Sequence, residues 1–385
     1  MTTGTTPTQG PLAGVKIVEF GGIGPGPFAA MLLADLGADV IRIDRKQPSG
    51  LGLARPRKYE YALRNRAAIQ LDLKSQDGIA FALRLVERAD ALMEGFRPGV
   101  MERMGLGPDT CLQRNQRLVY GRITGWGQTG PLAHVAGHDL NYIALTGALH
   151  AIGREGQPPS IPLSLLGDFS GGALYLVIGM LSALLEARSS GRGQVVDAAI
   201  VDGVASLTTP LHGMLRAGLL NHRRGTNFID SGSHFYEVYE CADGKWISIA
   251  PVEGKFYDLL LEKLNLRIDT PQLQREGWPA AKVRIAHRIR TKTRAQWTAL
   301  LEGTDVCFAP VLDFDESASH PHMQERGVFV DVEGETQPAP APRFSRTQPP
   351  LPRAGVQATP ETAGDLLGGW LPREEVEAAR QKGVL

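Results

Sequence analysis

The chain reads as an α/β protein organised around a doubly wound sheet, and three observations predict it. Short β-branched runs alternate with stretches of helical period through the first half of the chain. A Gly- and Pro-rich turn, GGIGPGP, joins the first strand to the first helix. Further on, the pattern changes to a hairpin followed by helices, which predicts a second, smaller α+β region.

The elements follow in order. Val15–Phe20 (VKIVEF) is a short apolar strand, and the run FAAMLLADLGA after the turn has helical spacing, with Pro27 suited to its first position. Asp39–Asp44 (DVIRID) is a second strand, so the opening is a βαβ unit. Ala68–Leu73 and Ala91–Glu94 read as strands around a helix over Gln76–Ala89. A helix from Pro98 and a strand over Leu118–Ile123 come next. Gly171–Arg188 is apolar on almost every side, which predicts a buried helix, and SSGRG ends it as a Gly-rich C-cap does. Its apolar centre, Ala173–Leu185, is too short to span a bilayer. QVVDAAIVDGVASL is a strand running into a helix. FYEVYECADGKWISIAP is a hairpin with its turn at Ala242–Gly244. Residues 336–353 are dense in proline and predict an extended strap, and an amphipathic helix closes the chain.

Composition narrows the function. Among 385 residues, Lys+Arg and Asp+Glu each number 41, so no global attraction to nucleic acid or to an anionic membrane is expected. Cys111, Cys241 and Cys307 show no metal-ligand or disulfide spacing, and a reducing, cytoplasmic setting fits them. The polar opening MTTGTTPTQGP predicts a disordered leader rather than a signal peptide.

Two motifs carry chemistry. His138 lies in GHDLNY and Asp168 in GDFSGG, each where the backbone enters or leaves a regular element. Such a pair could serve opposite faces of one carbon, a base on one side and an acid on the other. Each also has a plainer reading. His138 could be a hydrogen-bonded histidine without chemistry, and Asp168 the N-cap of the following helix. His134 lies four residues before His138, but no acidic third ligand accompanies them, so no metal site is expected. N–H groups near Asp168–Gly171 are candidates to stabilise an oxyanion. The turn GPGPFA, with Asp44 some twenty residues on, nominally fits a dinucleotide fingerprint. Pro25 and Pro27 remove N–H groups that a pyrophosphate would need, which argues against a nicotinamide cofactor. Arg42, Arg45, Lys46, Arg64, Arg66, Lys74, Arg97 and Arg103 gather near the strand ends, where a polyphosphate ligand would suit them.

Taken together, PLAGVKIVEFGGIGPGPFAAMLLADLGADVIRIDR, LDLKS, FRPGVMERMGLGP, GWGQTGP, GHDLNY, GDFSGG, GRGQVVDAAIVDG and YECADGKWISIAPVE resemble the family III CoA-transferases (CaiB/BaiF type) over nearly the whole chain. The likeness is greatest to the branch that epimerises 2-methylacyl-CoA thioesters. It implies a Rossmann-like large domain formed from both chain ends (1–222 and 321–385), a small α+β domain over 223–320, and an interlocked homodimer. It further implies that His138 and Asp168 are the two acid–base residues and that Glu253 supports the histidine. CoA contacts then fall to Arg45, Leu71, Asp72, Leu73, Lys74, Arg97 and Arg103. Gly137, Asp139, Leu140, Asn141 and Tyr142 would line the thioester. The substrate would bring coenzyme A with it, and no separate cofactor would be needed. In the same family, Asp168 could instead be the nucleophile of CoA transfer between acids. The loop Gly50–Tyr61 is longer and more basic than the family pattern, and Gly254 stands where proline is common.

Overall fold

The computed structural model describes residues 10–47, 50, 52, 53 and 55–385. The N-terminal leader and part of the Gly50–Tyr61 loop lie outside the described residues. Twelve strands are formed among those described: β1 Lys16–Phe20, β2 Asp39–Arg45, β3 Ala67–Leu71, β4 Ala91–Glu94, β5 Val119–Thr124, β6 Val195–Ala199, β7 Glu237–Glu240, β8 Trp246–Ile249, β9 Phe308–Pro310, β10 Phe329–Val332, β11 Glu335–Pro338 and β12 Val356–Gln357.

Seven of them make one parallel sheet in the order β12-β3-β2-β1-β4-β5-β6. Successive strand residues face opposite sides, so each strand serves two cores. Ile17, Val40, Ala91, Met93 and Val119 pack with the helices Pro25–Asp35 and Tyr175–Ser190 on one face. Val18, Ile41, Leu92 and Tyr120 pack on the other with the helix Gln76–Val86 and the C-terminal helices. Burial on both faces is what parallel strands require. The chain leaves β1 toward β2 on one side and reaches β4 on the other, so a crevice opens beyond the C-terminal ends of β1 and β4.

The chain divides into two compact units. The first takes residues up to Leu145, Leu163–Leu207 and Gly327–Leu385; the second takes Thr146–Pro162 and Thr208–Arg326. The division thus falls at Thr208 rather than at 223, the return at Gly327 rather than at 321, and Thr146–Pro162 joins the second unit. Hydrogen bonds explain the shift. Arg224 donates to the Gln157 and His150 carbonyls, and Arg154 pairs with Glu237, so both segments are tied into the second unit. In that unit β7, β8 and β9 form an antiparallel sheet around a core with Ile247, Ile249, Leu260, Ile285 and Trp297. Its hairpin turns at Gly244, which adopts a positive φ of 73°.

Three local expectations are corrected. The first helix begins at Pro25, not Pro27, because a proline at the first position needs no N–H partner. The segment after Pro98 is not one helix but two short ones, Val100–Arg103 and Pro108–Arg114, separated by the positive φ of Gly105. The helix expected over Gly171–Arg188 begins earlier, as a π-helix over Leu165–Leu174 that continues as an α-helix over Tyr175–Ser190. The combined 26-residue stretch is long and apolar enough to cross a bilayer by length and composition. It is not buried all round: Leu176, Val177, Met180, Ala183 and Ala187 pack inward, whereas Leu174, Ile178 and Leu185 are exposed.

Candidate active site

His138 directly precedes the helix Asp139–Leu145. Its carbonyl accepts the N–H groups of Asn141 and Tyr142, at 2.8 and 3.3 Å. In return, the Asn141 side chain accepts the His138 N–H at 3.0 Å. These bonds satisfy groups that a helix start leaves open and pin the turn while leaving the His138 side chain exposed. The Tyr142 ring clamps the turn from below. A Cβ on Gly125 would stand 1.9 Å from a ring carbon, and one on Gly137 would stand 2.8 Å away. The Tyr142 hydroxyl donates to the Gly137 carbonyl, and Trp126 meets the ring edge-on at 4.7 Å.

Asp168 is not an N-cap. It lies within the π-helix, which the chain enters through Leu163 and Ser164, both left-handed at φ 55° and 61°. In a π-helix each N–H reaches back five residues, so the opening turn leaves more donors unpaired than an α-helix would. The Phe169 N–H finds the Ser164 carbonyl at 3.3 Å. The Asp168 N–H finds Oδ1 of Asp139 at 2.7 Å. Gly167 makes this approach possible, since a Cβ there would lie 2.2 Å from that oxygen. The N–H groups of Asp168 and Phe169 are therefore committed, and the expected oxyanion donors do not include them. Across the crevice, the Asp168 carboxylate faces Gly24 of the loop after β1, where a Cβ would stand 3.2 Å from Oδ2.

Electrostatics single out the same group. Burial pushes the Asp168 carboxyl up to about 6, the neighbouring Asp139 carboxylate pushes in the same direction, and His138 opposes them. The two predicted acid–base residues are thus brought within electrostatic reach of each other. Burial also pushes the Tyr142 phenol up to about 12, with Asp168 raising it further and Arg97 pulling against it. Asp139 itself is buried, so its side chain supports Asp168 rather than lining an open thioester site. Sequence reasoning missed that role. Leu140 and Asn141 are exposed beside it.

The cationic group splits in two. Arg42 and Arg66 are buried and both bond Glu19, while Arg64 grips Asp35 at 2.5–3.2 Å. These three hold the sheet together and are not free for a phosphate. Arg45, Lys46, Lys74, Arg97 and Arg103 are exposed. Arg45 ends β2, with its guanidinium 5.5 Å from the centre of the Phe96 ring. Leu71 is fully buried, so its side chain is not open to a ligand, and Leu73, partly buried, packs against the same core. Asp72 accepts the Lys74 N–H at 2.9 Å, and Ser75 caps the next helix through the Gly78 N–H, which makes this loop well defined. Glu94, another residue that sequence reasoning passed over, accepts the Phe96 N–H at 2.7 Å and bonds Arg122 at 2.8 Å. Burial pushes its carboxyl up to about 7. It anchors the loop that carries Phe96 and Arg97.

The parallel sheet with its crevice beyond β1 and β4 agrees with the family comparison. The profile of CoA-transferase family III matches residues 12–362. The chain belongs to that family. It is 43% identical over 346 residues to the α-methylacyl-CoA racemase of Mus musculus, covering 89% of this chain and 88% of that protein. Against the racemase of that name from Homo sapiens the identity is 41% over 348 residues, with the same coverage. A CAIB/BAIF family protein from Brucella suis shares the fold with a TM-score of 0.78, over 97% of this chain and 99% of that one, at 24% identity.

Glu253 lies in the second unit. It is exposed, precedes the helix Gly254–Leu264, and accepts the Phe256 and Tyr257 N–H groups through its carbonyl. Burial raises the Cys307 thiol, with a further contribution from Glu253.

Proposed function

We propose that this protein is an isomerase that interconverts the R and S forms of 2-methylacyl-CoA thioesters by two-base proton transfer through an enolate. The observation that carries the reading is the placement of His138 at an exposed helix start and of Asp168 on the π-helix facing Gly24, where burial pushes its carboxyl up to about 6. A carboxyl poised there can both give and accept a proton near neutrality. Racemases with more than two-fifths of their aligned residues in common with this chain support the same reaction.

One base takes the α-proton from one face, and the other returns a proton to the opposite face. Thioesterification acidifies that carbon, yet the developing enolate oxygen still needs donors. These fall to the opening of the helix Asp139–Leu145, whose first N–H groups precede the first intrahelical bond. Arg45, Lys74, Arg97 and Arg103 would hold the CoA phosphates, and the backbone at Leu71–Leu73 would border the nucleotide. No cofactor beyond the CoA of the substrate enters the scheme. A homodimer is part of the proposal, and the apolar side chains left exposed on Tyr175–Ser190 support it.

Incubation of one pure epimer in deuterated water should place deuterium at the α-carbon of the product. Product without it would overturn the reading. Family membership keeps CoA transfer as the second reading, with Asp168 as nucleophile. A hydroxylamine-sensitive adduct on Asp168, together with CoA transfer to a free acid, would establish that reading instead.

A further inference from the structure

The family match ends at residue 362, yet the chain beyond it is well packed on the first unit. Ala363, Leu367, Trp370, Leu371, Val376 and Ala379 are buried in the same core as β3 and the helix Gln76–Val86. Glu375 accepts two hydrogen bonds from Arg84 of that helix, at 2.8 and 3.0 Å. The final residues then cross to the end of β2. Lys46, the residue after Arg45, donates to the Gly383 carbonyl at 2.7 Å. Val384 and Leu385 lie partly buried against the core. Leu385 also forms one wall of a cavity of about 240 Å³, opposite Lys46, Ile69, Gln70, Thr359 and Pro360.

This cavity opens where β12 stops: β12 pairs only with Ala67 and Ala68, so beyond them β3 is bordered by a strand on its β2 side alone. Its lining combines a cation, an amide and a hydroxyl with flat apolar walls. That is the chemistry of a nucleobase site with a phosphate at its edge. We propose that Gly383–Leu385, held by Lys46, complete the subsite for the nucleotide end of CoA and so set CoA affinity rather than the rate of proton transfer. The proposal rests on the acyl-CoA reading above. The tail acts by position: it joins the end of β2 to the helix that follows the Leu71–Ser75 loop, and thereby fixes the two edges between which the nucleotide lies.

The test compares two substrates, a 2-methylacyl-CoA and the same acyl group on pantetheine, which lacks the nucleotide. Deletion of Gly383–Leu385 should raise KM for the CoA ester and Kd for free CoA by about tenfold, the order expected for losing the apolar wall that Leu385 supplies. It should leave kcat and the acyl-pantetheine kinetics unchanged. Leu385→Ala, which trims the wall but keeps the Gly383 carbonyl, should shift KM in the same direction by less. Equal losses for both substrates would mean general damage and would overturn the proposal. Unchanged CoA affinity in both variants would also overturn it. Arg45→Ala separates this failure from failure of the underlying reading. If Arg45→Ala weakens CoA while the deletion does not, only the role of the tail is wrong. If neither weakens it, CoA does not bind at this edge.

Discussion

The end of the crevice proposed for proton transfer and the edge proposed for the nucleotide are built in opposite ways. The reactive end is a collection of backbone exceptions: two successive left-handed residues, a π-helix, a positive-φ glycine at 24 and a buried carboxylate on a backbone N–H. The edge consists of ordinary strand-to-helix turns that present exposed cations. Proton transfer demands fixed position and a tuned carboxyl, and both require a dense, constrained setting. A phosphate needs only charge at the right distance, which a long exposed side chain supplies without strain. The difference teaches where substitutions should damage rate and where they should damage affinity.

The strongest way to break this comparison is to remove one base. His138→Ala and Asp168→Ala should each abolish net epimerisation, a loss of at least about 10²–10⁴-fold for one positioned acid–base group. Each variant should still wash deuterium into the epimer whose proton faces the surviving base. Equal residual exchange of both epimers in both variants would mean that one base, or a water, serves both faces.

A smaller effect should sharpen the contrast within the arginines. Arg45→Ala and Arg103→Ala should weaken CoA binding by roughly tenfold to a hundredfold and leave exchange at saturation nearly intact. Arg66→Met should do the reverse. It breaks a buried pair with Glu19, so it should lower the melting temperature while CoA affinity of the folded fraction holds. An Arg66 variant that melts normally but binds CoA poorly would return that residue to the ligand site.

The sheet was legible because its strands are short apolar runs buried on both faces, as VKIVEF and DVIRID are, while the helix Gln76–Val86 keeps a three-to-four-residue period. His138 and Asp168 were legible as residue types in compact motifs. The buried role of Arg42, Arg64 and Arg66 was not. Their partners Glu19 and Asp35 stand 23 to 47 positions away and meet them only through the folding of the sheet. Nor does LLGDFSGGAL announce a π-helix. Its i→i+5 ladder is set by close packing, as where Gly203 meets Gly171 so tightly that a Cβ would lie 1.9 Å from the Gly171 carbonyl oxygen. The same limit hid Asp139, which reads as one more polar residue of GHDLNY until Gly167 is seen against it.

The smallest and most specific effect concerns that residue. Asp139→Asn keeps an oxygen for the Asp168 N–H and removes a charge that pushes the Asp168 carboxyl upward. Asp168 should then fall from about 6 toward the ordinary carboxylate range near 4. In the two-base scheme one working form holds its proton on His138 and the other on Asp168, so both carry the same number of protons. Forward and reverse reactions must therefore share one bell-shaped profile, with limbs that belong to the coupled pair. The acidic limb marks protonation of both bases, and lowering Asp168 should move that limb of kcat/KM to lower pH in both directions. Stability should respond with a matching sign. A carboxyl raised on folding costs stability as pH climbs from about 4 through about 6, and removing the cause should recover part of that cost above about 6. Profiles of kcat/KM for each epimer, with melting temperatures at pH 5 and 7.5, check both statements. An unmoved acidic limb would mean that Asp139 holds the Asp168 backbone in place without tuning its proton.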